Sequence, residues 1–153
     1  MKKKAVLICV GIYLLSAVLL IIFGGDPATT IRREVELKVS PDINCISKAL
    51  TTIPGSGDFT QHAKGRSKHS PPADVVDFEV DRTWLRIVVE RDVDRSRFAI
   101  EISEIGSGLE REELLRRRAL IKEVYSAVHS RCAGLPGWEE LQESCINVDC
   151  SER

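Results

Sequence analysis

A run of 19 apolar residues, Ala5–Phe23, lies directly behind Lys2, Lys3 and Lys4. Coiled as a helix it would span roughly 28 Å, close to the ~30 Å hydrocarbon thickness of a bilayer. A cleaved signal has the same charged head, but its apolar region is usually about 7–15 residues and ends in a small-x-small cleavage site. Here cleavage after Gly25 would place Phe23 three positions back, and cleavage after Ala28 would place Asp26 there. Residues 1–25 are therefore expected to be an uncleaved single-pass anchor, with secretion after signal cleavage as the alternative. Cys9 lies inside the run and reads as a small apolar filler. Three lysines before the run against Arg32 and Arg33 after it favour a cytoplasmic N-terminus, though only by a narrow margin of charge.

Cysteine usage argues independently for export. Cys45, Cys132, Cys145 and Cys150 follow the anchor, an even set that reads as two disulfides in an oxidising compartment. Structural zinc prefers closely spaced C-x-x-C pairs, whereas the nearest spacing here is Cys145-x4-Cys150 with no histidine nearby. The domain is thus placed outside the cytoplasm, in a periplasm or on a cell surface.

Beyond residue 25 the chain carries 23 acidic and 19 basic residues, a formal charge of −4 once the three head lysines are set aside. No broad basic surface can form, which argues against a nucleic-acid partner.

After a spacer at 26–30, residues 31–153 read as one α+β domain. Ile31–Val39 alternates, with Val35, Leu37 and Val39 on one face, as a half-buried strand does. Ser40-Pro41-Asp42 then opens a helix, Ser40 as N-cap, whose apolar face is Ile43, Ile46, Leu50 and Ile53. The 18 residues Gly55–Pro72 show no periodicity and are expected to be a long flexible loop. Val75–Val80, Trp84–Glu90 and Arg97–Ile105 follow as three strands, with Val76, Phe78 and Val80, then Phe98, Ile100 and Ile102, facing inward. Asp81-Arg82 is expected to be the turn between the first two.

Ser107 and Glu110 have the spacing of a capping box for a long helix running to about Cys132. Its apolar face is Leu114, Ile121, Val124, Tyr125 and Val128, and Glu112–Arg116 and Glu113–Arg117 are spaced to pair. Trp138–Cys145 is expected to be a further short helix. The order β-α-β-β-β-α implies an antiparallel meander with its helices on one face, a two-layer sandwich.

No G-x-S-x-G, H-E-x-x-H, S-x-x-K, P-loop or EF-hand pattern is present. His62 and His69 share the long loop with Asp58 but lack a convincing ligand set, so no metal or other cofactor is expected. Ser126 and His129 are three residues apart on a helix, but a Ser–His pair without an orienting acid and oxyanion hole is not a hydrolytic site. Arg116, Arg117 and Arg118 read as a solvated, carboxylate-paired helix face, and Lys64, Arg66 and Lys68 as a mildly basic loop. The composite expectation is a non-enzymatic binding or assembly domain held to the membrane by its N-terminal helix, with a protein partner. A small-ligand protein with a pocket between sheet and long helix is the alternative.

The expected bridges are Cys132–Cys145, across the Gly-Leu-Pro-Gly reversal, and Cys45–Cys150. They rest on both helices starting at the same edge of the sheet, which would hold Cys45 far from Cys132.

Overall fold

The computed structural model describes residues 28–64, 71–105 and 110–151. The expected anchor at 1–25, His69, Arg66, Lys68 and the Ser107 cap lie outside them. No helix among the described residues is long and apolar enough to cross a membrane.

Six strands form one sheet: β1 (Ala28–Leu37), β2 (Ser56–Lys64), β3 (Ala73–Val80), β4 (Thr83–Arg91), β5 (Ser96–Ile105) and β6 (Gln142–Ile146). Their order across the sheet is β2-β3-β4-β5-β1-β6, and every neighbouring pair is antiparallel. Among the described residues, two helices, α1 (Ile43–Leu50) and α2 (Arg111–His129), complete the α+β fold, with a 3-10 turn at Trp138–Glu140.

The period-two pattern decides which face meets the helices. Phe78, Val80, Leu85, Ile87, Val89, Phe98, Ile100 and Ile102 share one buried cluster with Ile43, Ile46 and Leu50 of α1 and Leu114, Ile121, Val124, Tyr125 and Val128 of α2. Phe98 meets Tyr125 edge to face at 5.8 Å, a geometry that adds to area burial. Each aliphatic side chain withdrawn from water here contributes about 1.5–3 kcal/mol. The expected inward faces of β3, β5, α1 and α2 are all on this cluster. Val39 is not: it lies past the end of β1 and is 73% exposed.

The expected turn at Asp81-Arg82 is present, with φ of 48° and 63°, the left-handed pair a two-residue hairpin requires. Gly55 (φ +74°) packs under it, and a Cβ there would stand 2.7 Å from Asp81 Oδ1.

Three elements depart from the sequence reading. First, Gly55–Pro72 is not simply a loop: residues 56–64 form edge strand β2, paired with β3 from Phe59↔Phe78 to Lys64↔Ala73. Alternation is missing because most of this strand is exposed on both faces, so backbone pairing rather than an apolar face holds it. Ser47 Oγ of α1, 2.7 Å from Gln61 Oε1, secures the same strand from the helix side.

Second, Trp138–Cys145 is not a helix. Only Trp138–Glu140 coils, and Gln142–Ile146 pairs with β1 as β6. An available strand edge overrides the helical propensity of a short acidic segment.

Third, α1 is capped by Asp42, whose side chain accepts from the Asn44 amide at 2.9 Å, while Ser40 Oγ accepts from Arg91 Nε at 3.2 Å. For α2, Glu110 occupies the N-cap position without a side-chain cap bond.

The cysteines pair as Cys45–Cys132 and Cys145–Cys150, with Cα separations of 5.8 and 6.1 Å. The expected Cys132–Cys145 and Cys45–Cys150 bridges are thereby overturned. The reason is the placement of β1 against β5. Because these strands are antiparallel, α1 leaves β1 at one end of the sheet and α2 leaves β5 at the other. The helices therefore run in opposite directions, and the first turn of α1 meets the end of α2.

Candidate binding surface on the open face of the sheet

Both helices cover one face, so the functional question moves to the other. There the registers align Thr60, Asp77, Arg86, Glu101, Arg32 and Ser144 in a single row across all six strands. The charges alternate in sign. Arg86 grips Asp77 with two bonds, Nε–Oδ1 at 2.6 Å and Nη2–Oδ2 at 3.1 Å. Arg32 Nη1 donates to Glu101 Oε2 at 3.3 Å and its Nε to Glu34 Oε2 at 2.8 Å. The hydrogen bond with Asp77, with help from the charges of Asp77 and Glu101, raises the Arg86 pKa despite partial burial.

The adjoining row of small apolar residues, Val75, Val88 and Ala99, forms with Ala73 a second buried cluster on this face. Farther along this face, Arg97 reaches Glu90 at 3.7 Å. A depression of about 470 Å³ opens on the open face, lined by Thr60, Asp77, Trp84, Arg86, Glu101 and Ser103 among others. The charges that line it are mutually neutralised.

The residues singled out from sequence fall as follows. His62 lies on β2, its Nε2 3.8 Å from Asp77 Oδ2 at the end of the charged row. Ser126 and His129 do not form a pair: the Ser126 hydroxyl donates to the Lys122 carbonyl at 2.7 Å, while the His129 ring packs on Tyr125 at 5.8 Å. Asp58 is on β2, where the pairing with β3 slips between Ser56 and Phe59.

The three arginines of α2 do not make one solvated face. Arg116 pairs with Glu113, not Glu112, at 2.7 Å. Arg117 is buried at 5% exposure between Glu113 (2.7 Å) and Glu104, and its Nη1 has no hydrogen-bond partner. Burial lowers its pKa. Arg118 donates through Nε to Glu143 at 3.2 Å and through Nη2 to the Cys150 carbonyl at 2.8 Å, latching the tail to the helix.

Among the described residues, the grouping with metal-ligand potential is Glu143, Cys145 and Cys150. Its two sulfurs are joined to each other and its carboxylate to Arg33 and Arg118, so the donor set is occupied within the protein.

The sequence held no separate signal for the charged row. Asp77, Arg86, Glu101 and Arg32 are unremarkable polar positions until the registers bring them side by side. No protein-family model matches the chain, and neither a curated protein nor a solved structure is significantly similar to it.

Proposed function

We propose that this chain is a membrane-tethered extracytoplasmic domain that binds or assembles with a protein partner and carries out no catalysis of its own. The observation that carries the reading is the pair of cystines in a domain whose chain begins with a lysine-headed apolar run. Disulfides of this kind persist in oxidising compartments. The open sheet face supports the binding part of the reading, since its alternating charges would select a partner of matched polarity by register and sign.

Crosslinking of the full chain in intact cells tests it. A protein crosslinked to the chain, and lost when Arg86→Glu inverts the row, is the expected outcome. Recovery of the chain alone, with no partner or ligand shifting its melting, overturns the binding reading. Fractionation tests the tether: a mature N-terminus near residue 26 in the soluble fraction overturns the anchor and leaves a secreted domain.

A further inference from the structure

Ala28 opens β1 at one end of the sheet, where its carbonyl accepts from Asn147 Nδ2 at 2.8 Å. The antiparallel registers bring to that end the close of β5, the start of β4, the Asp81-Arg82 turn and the close of β6. On the open face of this end one row runs Trp84, Ser103, Thr30, Ile146. Thr30 pairs with both Ser103 and Ile146, and Trp84 precedes the Leu85↔Ile102 pair. Trp84 is 52% and Ile146 57% exposed. At about 4.8 Å per strand they stand roughly 14 Å apart on one side of the domain.

The apolar run ends at Phe23, and only Gly24–Pro27 separate it from Ala28. Five Cα–Cα steps reach at most about 17 Å, and each polar layer of a bilayer is itself about 5–8 Å deep. A run spanning the membrane would therefore hold the Ala28 end of the domain against the headgroups. Tryptophan is the side chain most at home there, with an apolar body and one N–H for the wet side. Among the described residues, those large, apolar and exposed at the far end are Val39 and Val93, neither aromatic. Of the arginines near Trp84, Arg116 and Arg117 are paired with Glu113 and Glu104, while Arg82 in the neighbouring turn is exposed.

We propose that this end of the domain rests on the bilayer, with Trp84 seated in the headgroup layer beside Ile146. The proposal rests on the anchor reading given above and adds an orientation: the strands stand upright on the membrane, the charged row runs parallel to its surface two residues beyond Trp84 and Ile146, and the Cys45–Cys132 bridge points away from it.

The two tryptophans allow a direct test. Trp138 lies under Arg33, 4.9 Å from the guanidinium carbon, three residues farther along β1 than Thr30 and so about 10 Å farther from the Ala28 end. The full chain is reconstituted in phosphatidylcholine vesicles with and without brominated acyl chains, as Trp138→Phe (reporting Trp84) and as Trp84→Phe (reporting Trp138). Brominated lipid is expected to remove most of the Trp84 emission and to leave that of Trp138 nearly unchanged. Equal quenching of the two, or none while the chain sediments with the vesicles, overturns the orientation and leaves the anchor standing. Shielding of Trp84 from aqueous acrylamide without loss to brominated lipid places a protein over it and equally overturns the lipid assignment. A chain that stays in the supernatant overturns the anchor and the orientation together.

Discussion

Removal of the Cys45–Cys132 bridge is expected to cost far more than removal of Cys145–Cys150, because the two close loops of very different length. Their sequence separations are 87 and 5. In the chain-entropy account, a cross-link restricts the unfolded chain by an amount that grows with the logarithm of the loop. That gives about 4.6 kcal/mol for the longer loop and about 2 kcal/mol for the shorter at 25 °C. With an unfolding entropy of about 2.1 cal/mol/K per residue over the folded part, each kcal/mol corresponds to about 4 °C in melting temperature. Cys45→Ala with Cys132→Ala should therefore lower Tm by about 18 °C, and Cys145→Ala with Cys150→Ala by about 8 °C. The first figure is a lower bound, since Cys132 is also buried and packs on the main cluster. Circular-dichroism melts of the full chain in detergent, with both double variants beside the parent, supply the measurement. Equal losses, or a larger loss from the Cys145–Cys150 variant, would refute the loop-length reasoning. Non-reducing peptide mapping provides the structural check, since a peptide joining residues 132 and 145 would refute the antiparallel arrangement of α1 and α2.

Arg117→Met should leave stability within about 1 kcal/mol of the parent or raise it, because Arg117 is a buried charge with an unpartnered Nη1. Glu113→Ala, by contrast, should cost about 1–3 kcal/mol in urea titrations, since it strips Arg117 and Arg116 of a shared acceptor; the reverse ranking would contradict this account. Burial raises the Tyr125 pKa to about 12, with the charge of Glu140 adding to the effect, and its hydroxyl donates to the Pro136 carbonyl at 2.6 Å. The unfolded phenol titrates near 10, so this stabilisation is complete below about pH 10 and is lost as pH rises towards 12. Phenolate absorbance from Tyr125 should appear only in that upper window, and Tyr125→Phe should flatten the alkaline slope of stability; ionisation near pH 10 in the folded chain would show the burial argument to be wrong. On the half-exposed charged row, Arg86→Gln should cost less than about 1 kcal/mol and the difference should shrink in high salt; a larger, salt-independent loss would mean the row contributes to the core of the fold.

What sequence determined by itself was everything carried by a one-sided apolar pattern. The alternation of Val76, Phe78 and Val80, and of Phe98, Ile100 and Ile102, matches one buried face, as does the three-and-four spacing in α1 and α2. The Asp81-Arg82 turn was legible for the same local reason, two polar residues between strands of clear period. Even the number of bridges followed from the cysteine count.

Tertiary structure decided the rest. β2 and β6 are the two edge strands, held chiefly by backbone bonds to one neighbour, so their sequences carry little apolar alternation to read. The row Asp77–Arg86–Glu101–Arg32 exists only through register, which couples positions scattered over 70 residues of chain. The pairing of cysteines depended on a single long-range fact, that β1 inserts antiparallel between β5 and β6. That insertion sends α1 and α2 in opposite directions, bringing Cys45 to Cys132 and leaving Cys145 to its near neighbour Cys150. Local propensity acts over a few residues and could specify each helix, but strand order is a property of the whole sheet, and it set where the helices point.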